Sequence, residues 1–167
     1  YIAGLESSST NQDREKGFTE YLTANGFGLP TRVVGNYSIH EAAAATRMLL
    51  SSRTPPDAIF CANDLMALAA INVARGDFGL KVGRDVSIVG FDDTELADWP
   101  LHGLTSYTQP IEPMVDRTIQ IITDSLRSRE LPSVQEIIKG QLVVRESARI
   151  PKKGTSIVDG VRLWVRA

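Results

Sequence analysis

Pro56-Asp57-Ala58-Ile59-Phe60-Cys61-Ala62-Asn63-Asp64-Leu65-Met66-Ala67 is the stretch that sets the fold class. Pro55-Pro56 closes the element before it, because proline cannot continue a helix. Ala58–Cys61 is a short, wholly apolar run, the pattern of a strand covered on both faces. Asn63 or Asp64 then offers a side-chain oxygen to the first turn of a helix, and Asp64–Arg75 continues at helical length. Strand, capped turn and helix in immediate succession make half of a βαβ unit.

The same alternation extends both ways. Upstream lie a strand stub at Tyr1–Ala3, a helix over Gln12–Asn25 stopped by Gly26, a β-branched strand at Thr31–Val34 and an Ala-rich helix over His40–Ser52. Downstream come strands at Val86–Val89, Gly103–Tyr107 and about Ile137–Val144, with a helix over Glu112–Ser128 carrying Val115, Ile119, Ile122 and Leu126. The fold class expected is α/β, a parallel sheet flanked by helices. After Pro151, Lys152-Lys153-Gly154 resembles a linker, while Val161, Leu163 and Val165 alternate with polar neighbours. That tail is expected to pair as a strand or to be disordered.

The 167 residues suit one domain of ordinary size, and 18 Lys+Arg against 20 Asp+Glu give a net charge of −2. That balance argues against binding DNA or an anionic membrane by bulk charge. Cys61 is the single cysteine, which excludes an intrachain disulfide and a cysteine-rich zinc site. No run approaches the roughly 20 apolar residues of a membrane span. Tyr1–Gly4 shows neither an initiator Met nor a basic leader, so the chain is expected to open inside a strand and to be a piece of something longer.

In a parallel α/β sheet, ligands bind where loops converge at the carboxyl ends of the strands. The polar and aromatic residues there are Arg14, Tyr37, Asn63, Asp64, Asp92 and Asp93. Arginine and aspartate each grip two neighbouring hydroxyls, asparagine donates and accepts, and a ring covers a C–H surface. The set suits a small polyhydroxylated or heterocyclic ligand, and equally a set of caps and turn residues.

Sharper chemistry finds less support. Asp92-Asp93 could hold a divalent cation, but a nucleophilic Asp on another strand and a late Lys are not well placed. Asp77-Phe78-Gly79 lacks the rest of a kinase set, and Gly79–Gly83 lacks the ending of a phosphate loop. His40 and His102 have no partners at ligand spacing. Asn36-Tyr37-Ser38 matches a glycosylation sequon that a cytoplasmic chain would not use. Cys61, ending an apolar strand, is expected to be a buried, inert thiol. No catalytic residue, metal or cofactor is expected.

The Asp64–Arg75 helix is apolar nearly all round, from Leu65 to Ala74. Such a helix needs cover on both sides. The sheet supplies one side; a second copy, or the chain's own tail, is expected to supply the other.

Taken together, the Pro56–Ala67 stretch, Val89-Gly90-Phe91-Asp92-Asp93, Leu104-Thr105-Ser106 and Gln109-Pro110 resemble the effector-binding domain of LacI/GalR (lac/galactose repressor) family transcription regulators. Arg14-Glu15-Lys16-Gly17-Phe18 and Gly35-Asn36-Tyr37-Ser38 fall where that family has its Arg-x-x-Gly-Phe and Gly-x-aromatic patterns. The match covers about residues 1–149. It implies a periplasmic-binding-protein-like fold of type I, of which this chain holds one subdomain plus the return segment. By that resemblance residues 1–110 are the C-terminal subdomain. Residues 111–136 cross to the other subdomain, 137–150 return as a final strand, and 151–167 are a tail without counterpart.

By the same resemblance Arg14, Asn63 and Asp92 hydrogen-bond the effector, Tyr37 stacks on it and Gln109 sits beside the cleft. The apolar helix matches one used for dimerisation, which would involve Leu65, Met66, Ala69, Ala70 and Val73. The implied protein is a cytoplasmic effector sensor for a sugar-like ligand or a nucleobase, a homodimer that reaches operator DNA only through a separate helix-turn-helix domain, with no membrane partner. A periplasmic sugar-binding transport receptor is the alternative. His102-Gly103 depart from the Pro-Pro frequent in the family.

Overall fold

The computed structural model describes residues 1–128 and 135–165. Ile2–Ala3 (β1) pairs in parallel with Val33–Val34 (β2). A parallel bridge from Ile2 to Cys61 joins β1 to Ala58–Phe60 (β3). The Cys61 amide donates to the Val89 carbonyl and the Ala62 amide to the Ile2 carbonyl, so the residues just after β3 knit both neighbours to it. Ser87–Asp92 (β4) and Thr105–Thr108 (β5) extend the parallel set.

Beyond β5 the sheet continues with antiparallel pairing. Leu142–Val143 (β6) pairs antiparallel with β5, and a hairpin of Thr155–Val158 (β7) and Val161–Trp164 (β8) adds on through β8. The strand expected over Ile137–Val144 shrinks to two residues. Its flanks are used otherwise: the Ser147 hydroxyl bonds the Thr105 amide and the Ile88 carbonyl, pinning the return segment to β4 and β5. The tail is paired rather than disordered. Asp159-Gly160 turns it, both at positive φ (49° and 82°), the backbone that a tight hairpin requires.

Ser9–Ala24 (α1) starts at the Ser8 cap and stops at Gly26, whose φ of 76° breaks the helix as expected. Ile39–Leu50 (α2) is capped by Ser38, and Asp64–Gly76 (α3) by Asn63. Tyr1, Phe18 and Phe60 form an aromatic cluster between α1 and the sheet, with centroids 5.1–5.7 Å apart.

α3 is the centre of the core. Met66, Ala67, Ala70, Ile71 and Ala74 are fully buried against the sheet and α2. Its second side is therefore covered by α2, whose Ala42, Ala45 and Leu49 are buried with it. This removes the reason for assigning that side to a second copy. Met66, Ala69, Ala70 and Val73 are buried within the chain, and of the five residues expected at an interface only Leu65 stays exposed.

Ile111–Ser128 (α4) is built oppositely. Ile111, Met114, Val115, Ile119, Ile122 and Leu126 repeat at helical spacing, yet each is at least 45% exposed and no α4 residue is buried. Residues 129–134 of the segment expected to follow it, and 166–167 of the tail, lie outside the described residues.

The contrast has a measurable consequence. Ile88→Ala empties a fully buried position and is expected to destabilise the chain by about 2–5 kcal/mol in urea denaturation. Ile119→Ala, on the exposed stripe, is expected to stay within about 0.5 kcal/mol of wild type.

Candidate functional site

The carboxyl ends of the parallel strands bring Arg14, Asp92 and Gln109 into one hydrogen-bonded group. Arg14 stands in the second turn of α1, where its side chain reaches back over the sheet. Its Nη1 donates to the Ala62 carbonyl at 2.5 Å, and its Nη2 meets Asp92 Oδ1 at 3.1 Å. The guanidinium carbon lies 3.9 Å from the centre of the Phe91 ring, a cation–π contact that ties it to β4. Gln109, just after β5, donates from Nε2 to the same Asp92 Oδ1 at 2.6 Å.

The group is half-sheltered: side-chain exposure is 11% for Arg14 and 25% for Asp92. Asp92 Oδ1 thus takes two donors, while Oδ2 takes no hydrogen bond from the described residues. A carboxylate positioned by one oxygen and open at the other can accept from two hydroxyls of a ligand.

Asn63 joins through the backbone, since the Ala62 carbonyl that Arg14 grips immediately precedes it. Its Oδ1 caps α3 by accepting from the Met66 amide at 3.1 Å, a bond that does not use the side-chain amide nitrogen. The cap and the candidate ligand group are the same residue. Tyr37 reaches the rim by another contact: its ring lies so close on Gly4 that a Cβ there would fall 2.1 Å from ring carbon Cζ. Tyr37 makes no hydrogen bond to the Arg14–Asp92–Gln109 group among the described residues. The buried Tyr1 hydroxyl nonetheless feels both Arg14 and Tyr37. Burial, then the Glu15 carboxylate, pushes that phenol well above its usual range.

The backbone at the rim is strained. Asn36 and Tyr37 have φ of 51° and 56°, and Asp92 and Asp93 have φ of 122° and 54°. Non-glycine residues rarely adopt such values, and they concentrate at binding sites held by surrounding structure.

The two aspartates face different cations. Asp92 meets Arg14; Asp93 meets Arg145 of the return segment at 2.6 Å, and Arg145 also bonds Asp98 at 3.0 Å. No cluster of metal-ligating side chains occurs among the described residues. Cys61 is buried, and burial pushes its thiol up to about 12, which keeps it protonated at neutral pH.

Phe91, Arg145 and Ser106 escaped the sequence reading as parts of the site, and Asp64, read there as a rim residue, takes a different part. Asp64 was a candidate cap; Asn63 caps instead, and Asp64 turns inward to Thr94 and Ser106. A charged residue opening an otherwise apolar helix was the available signal. Arg145 had none, because its partner is 52 residues away.

A family model described as a periplasmic binding protein-like domain matches residues 1–148, and the chain belongs to that family, in the form found in LacI-type transcriptional regulators. The chain is 34% identical over 148 residues to the HTH-type transcriptional regulator CelR of Thermobifida fusca, covering 87% of this chain and 43% of CelR. It is 29% identical over 150 residues to the HTH-type transcriptional repressor CytR of Escherichia coli K12, covering 89% and 44%. Among solved structures, a CelR–cellobiose complex superposes with a TM-score of 0.79 at 33% identity, covering 88% of this chain and 45% of that one. The lac repressor dimer bound to operator and the anti-inducer ONPF superposes at 0.81 and 28% identity, covering 89% and 44%. The chain spans less than half the length of these relatives.

Burial, the largest influence on Asp64, raises its carboxyl above the ordinary value, against hydrogen bonds from Ser106 and Thr94 that lower it. The folded state then keeps this proton to higher pH than the unfolded chain, so Asp64 draws stability down as pH rises past the carboxylate range. Wild type is expected to lose stability relative to Asp64→Asn between about pH 4 and pH 7, read by urea denaturation at both.

Proposed function

We propose that this chain is the effector-sensing part of a LacI-type DNA-binding regulator, with the Arg14–Asp92–Gln109 group, Asn63 and Tyr37 forming one wall of a cleft for a sugar or sugar derivative. The observation that carries this is Asp92, held at Oδ1 by Arg14 and Gln109 and open at Oδ2. A fixed fork, a carboxylate, an amide and a ring at one rim suit adjacent hydroxyls on a C–H face. The relative solved with cellobiose supports a carbohydrate over a nucleobase. The relatives' names favour a regulator acting in the cytoplasm, without catalysis, over a transport receptor. Among the described residues no helix is long and apolar enough to cross a membrane.

In this reading α4 and its continuation pack their apolar stripe on the other subdomain, which forms the second wall. The effector binds the closed cleft more tightly than the open one and so shifts the balance between them. Operator DNA is contacted through a helix-turn-helix domain rather than through the residues described here.

Self-association uses the outer edge of α3. Thr94 bonds Asp64 at the start of α3, and the Leu101 carbonyl accepts from Arg75 at its end, so residues 94–101 run along the helix. That strip exposes Leu96, Trp99 (55%) and Leu101 (69%), near exposed Leu65. Apolar surface of this kind marks an interface, and a two-fold pair is the commonest form. Light scattering is expected to show a dimer that Trp99→Glu shifts toward monomer; an unchanged mass in that variant would exclude this strip.

A thermal-shift screen of glucose, galactose, cellobiose, lactose, glucose 6-phosphate, adenine and guanine tests the site. A ligand at about 100 times its Kd stabilises by about 2.7 kcal/mol, and Asp92→Ala is expected to abolish that shift. An undiminished shift in Asp92→Ala would refute the assignment.

A further inference from the structure

Asp64 is a carboxylate only 1% exposed, and the mechanism proposed above does not use it. It does not cap its own helix, since Asn63 takes the Met66 amide. No cation among the described residues faces it: Ser106 Oγ donates to Oδ1 at 2.5 Å, and the Thr94 amide and hydroxyl donate to Oδ2 at 2.7 and 3.1 Å. A buried carboxylate held by neutral donors alone is a costly arrangement. Its position shows what it holds.

Ser106 Oγ, while donating to Asp64, accepts from the Asp93 amide at 3.1 Å. Thr94 is the next residue along. Asp64 therefore grips Asp93, the second residue of the positive-φ pair Asp92–Asp93, through Ser106, and Thr94, which follows the pair, directly. The strand beneath is shaped to admit it. A Cβ on Gly90 would fall 2.3 Å from Asp64 Oδ1 and 3.3 Å from Asp64 Cα, so only glycine leaves the carboxylate room. On the other flank Arg145 holds the Asp93 carboxylate at 2.6 Å. Both oxygens of Asp64 face donors, which an amide in its place could satisfy at one oxygen only.

We propose that Asp64, acting through Ser106 and Thr94, is the positioning residue that keeps the Asp92–Asp93 elbow in its left-handed backbone and so aims the Asp92 carboxylate at Arg14 and Gln109. The proposal rests on the reading of Asp92 as a ligand group, but concerns how that group is held in the absence of ligand.

The test reads the elbow in crystal structures of ligand-free variants of the whole chain, with the Gln109 side-chain amide followed by NMR in solution. Ser106→Ala and Asp64→Asn are expected to lose both hydrogen bonds at Asp92 Oδ1 and to shift the Gln109 amide signals, while the Tyr1–Phe18–Phe60 cluster stays intact. Ser106→Thr keeps the hydroxyl and is expected to retain both bonds, which a requirement for mere packing at that buried position would not produce. Thr94→Val, at an exposed residue, removes one bond to Asp64 and reports on the elbow should Asp64→Asn fail to fold; it is expected to shift the Gln109 signals in the same direction. Folded Ser106→Ala and Thr94→Val proteins with Asp92 and Gln109 unmoved would overturn the proposal. Because no ligand is present, this outcome is separate from a failure of the sugar-site reading, which Asp92→Ala decides.

Discussion

The contact between Arg14 and Asp92 is the constraint around which the rim is organised. One guanidinium meets a carboxylate at the end of β4, a carbonyl at the end of β3 and the face of Phe91. These three partners come from two strands that are neighbours in the sheet, while Arg14 comes from α1 on the far side of two crossovers. The bonds are charge-assisted and largely screened from water, where such contacts are stronger than at an open surface. Because Arg14 already takes the Asp92 oxygen nearest it, what the carboxylate offers a ligand is a direction as well as a charge.

That direction depends on backbone that ordinary residues avoid. Asp92 and Asp93 turn the end of β4 so that consecutive carboxylates face opposite ways, one toward Arg14 and the other toward Arg145. In a regular strand alternate side chains also point to opposite faces. Here the turn does more: it places the second carboxylate against the return segment, which Ser147 fastens to β4 and β5. The site and the return segment are thus joined through one dipeptide, and the chain passing outward from it carries the exposed Leu96, Trp99 and Leu101.

Much of this was legible in the sequence because it is local. The α3 cap, the Gly26 stop and the parallel strands follow from residue type and period, each satisfied within a few positions. Arg14, Tyr37, Asn63 and Asp92 were legible for a topological reason: strand ends in an α/β sheet converge, so a polar residue after each strand joins a common edge; Gln109 came only with the family resemblance. What the pattern could not supply were contacts whose partners lie far apart in the chain. The cover of α3 by α2 is one, and it displaced Met66, Ala69, Ala70 and Val73 from the surface. The Arg145–Asp93 pair and the Asp64–Ser106 bond are others. An apolar residue shows that a surface will be buried, but not by which neighbour.

α4 and α3 show how differently the same period can end. Both repeat apolar residues at helical spacing, yet α3 buries nearly everything and α4 buries nothing. The difference lies in the opposite face. In α3 it is alanine and valine, which lets α2 and the sheet approach together. In α4 it is Glu112, Asp116, Arg117, Gln120 and Asp124, which confine the apolar residues to one stripe. A helix gains most of its stability in a protein from packing such a stripe, and little from intrinsic propensity. The polar face of α4 therefore shows that it is built to be covered on one side only, whereas α3 is built to be enclosed. The pattern of each helix states its number of packed faces, and the fold decides only which neighbours fill them.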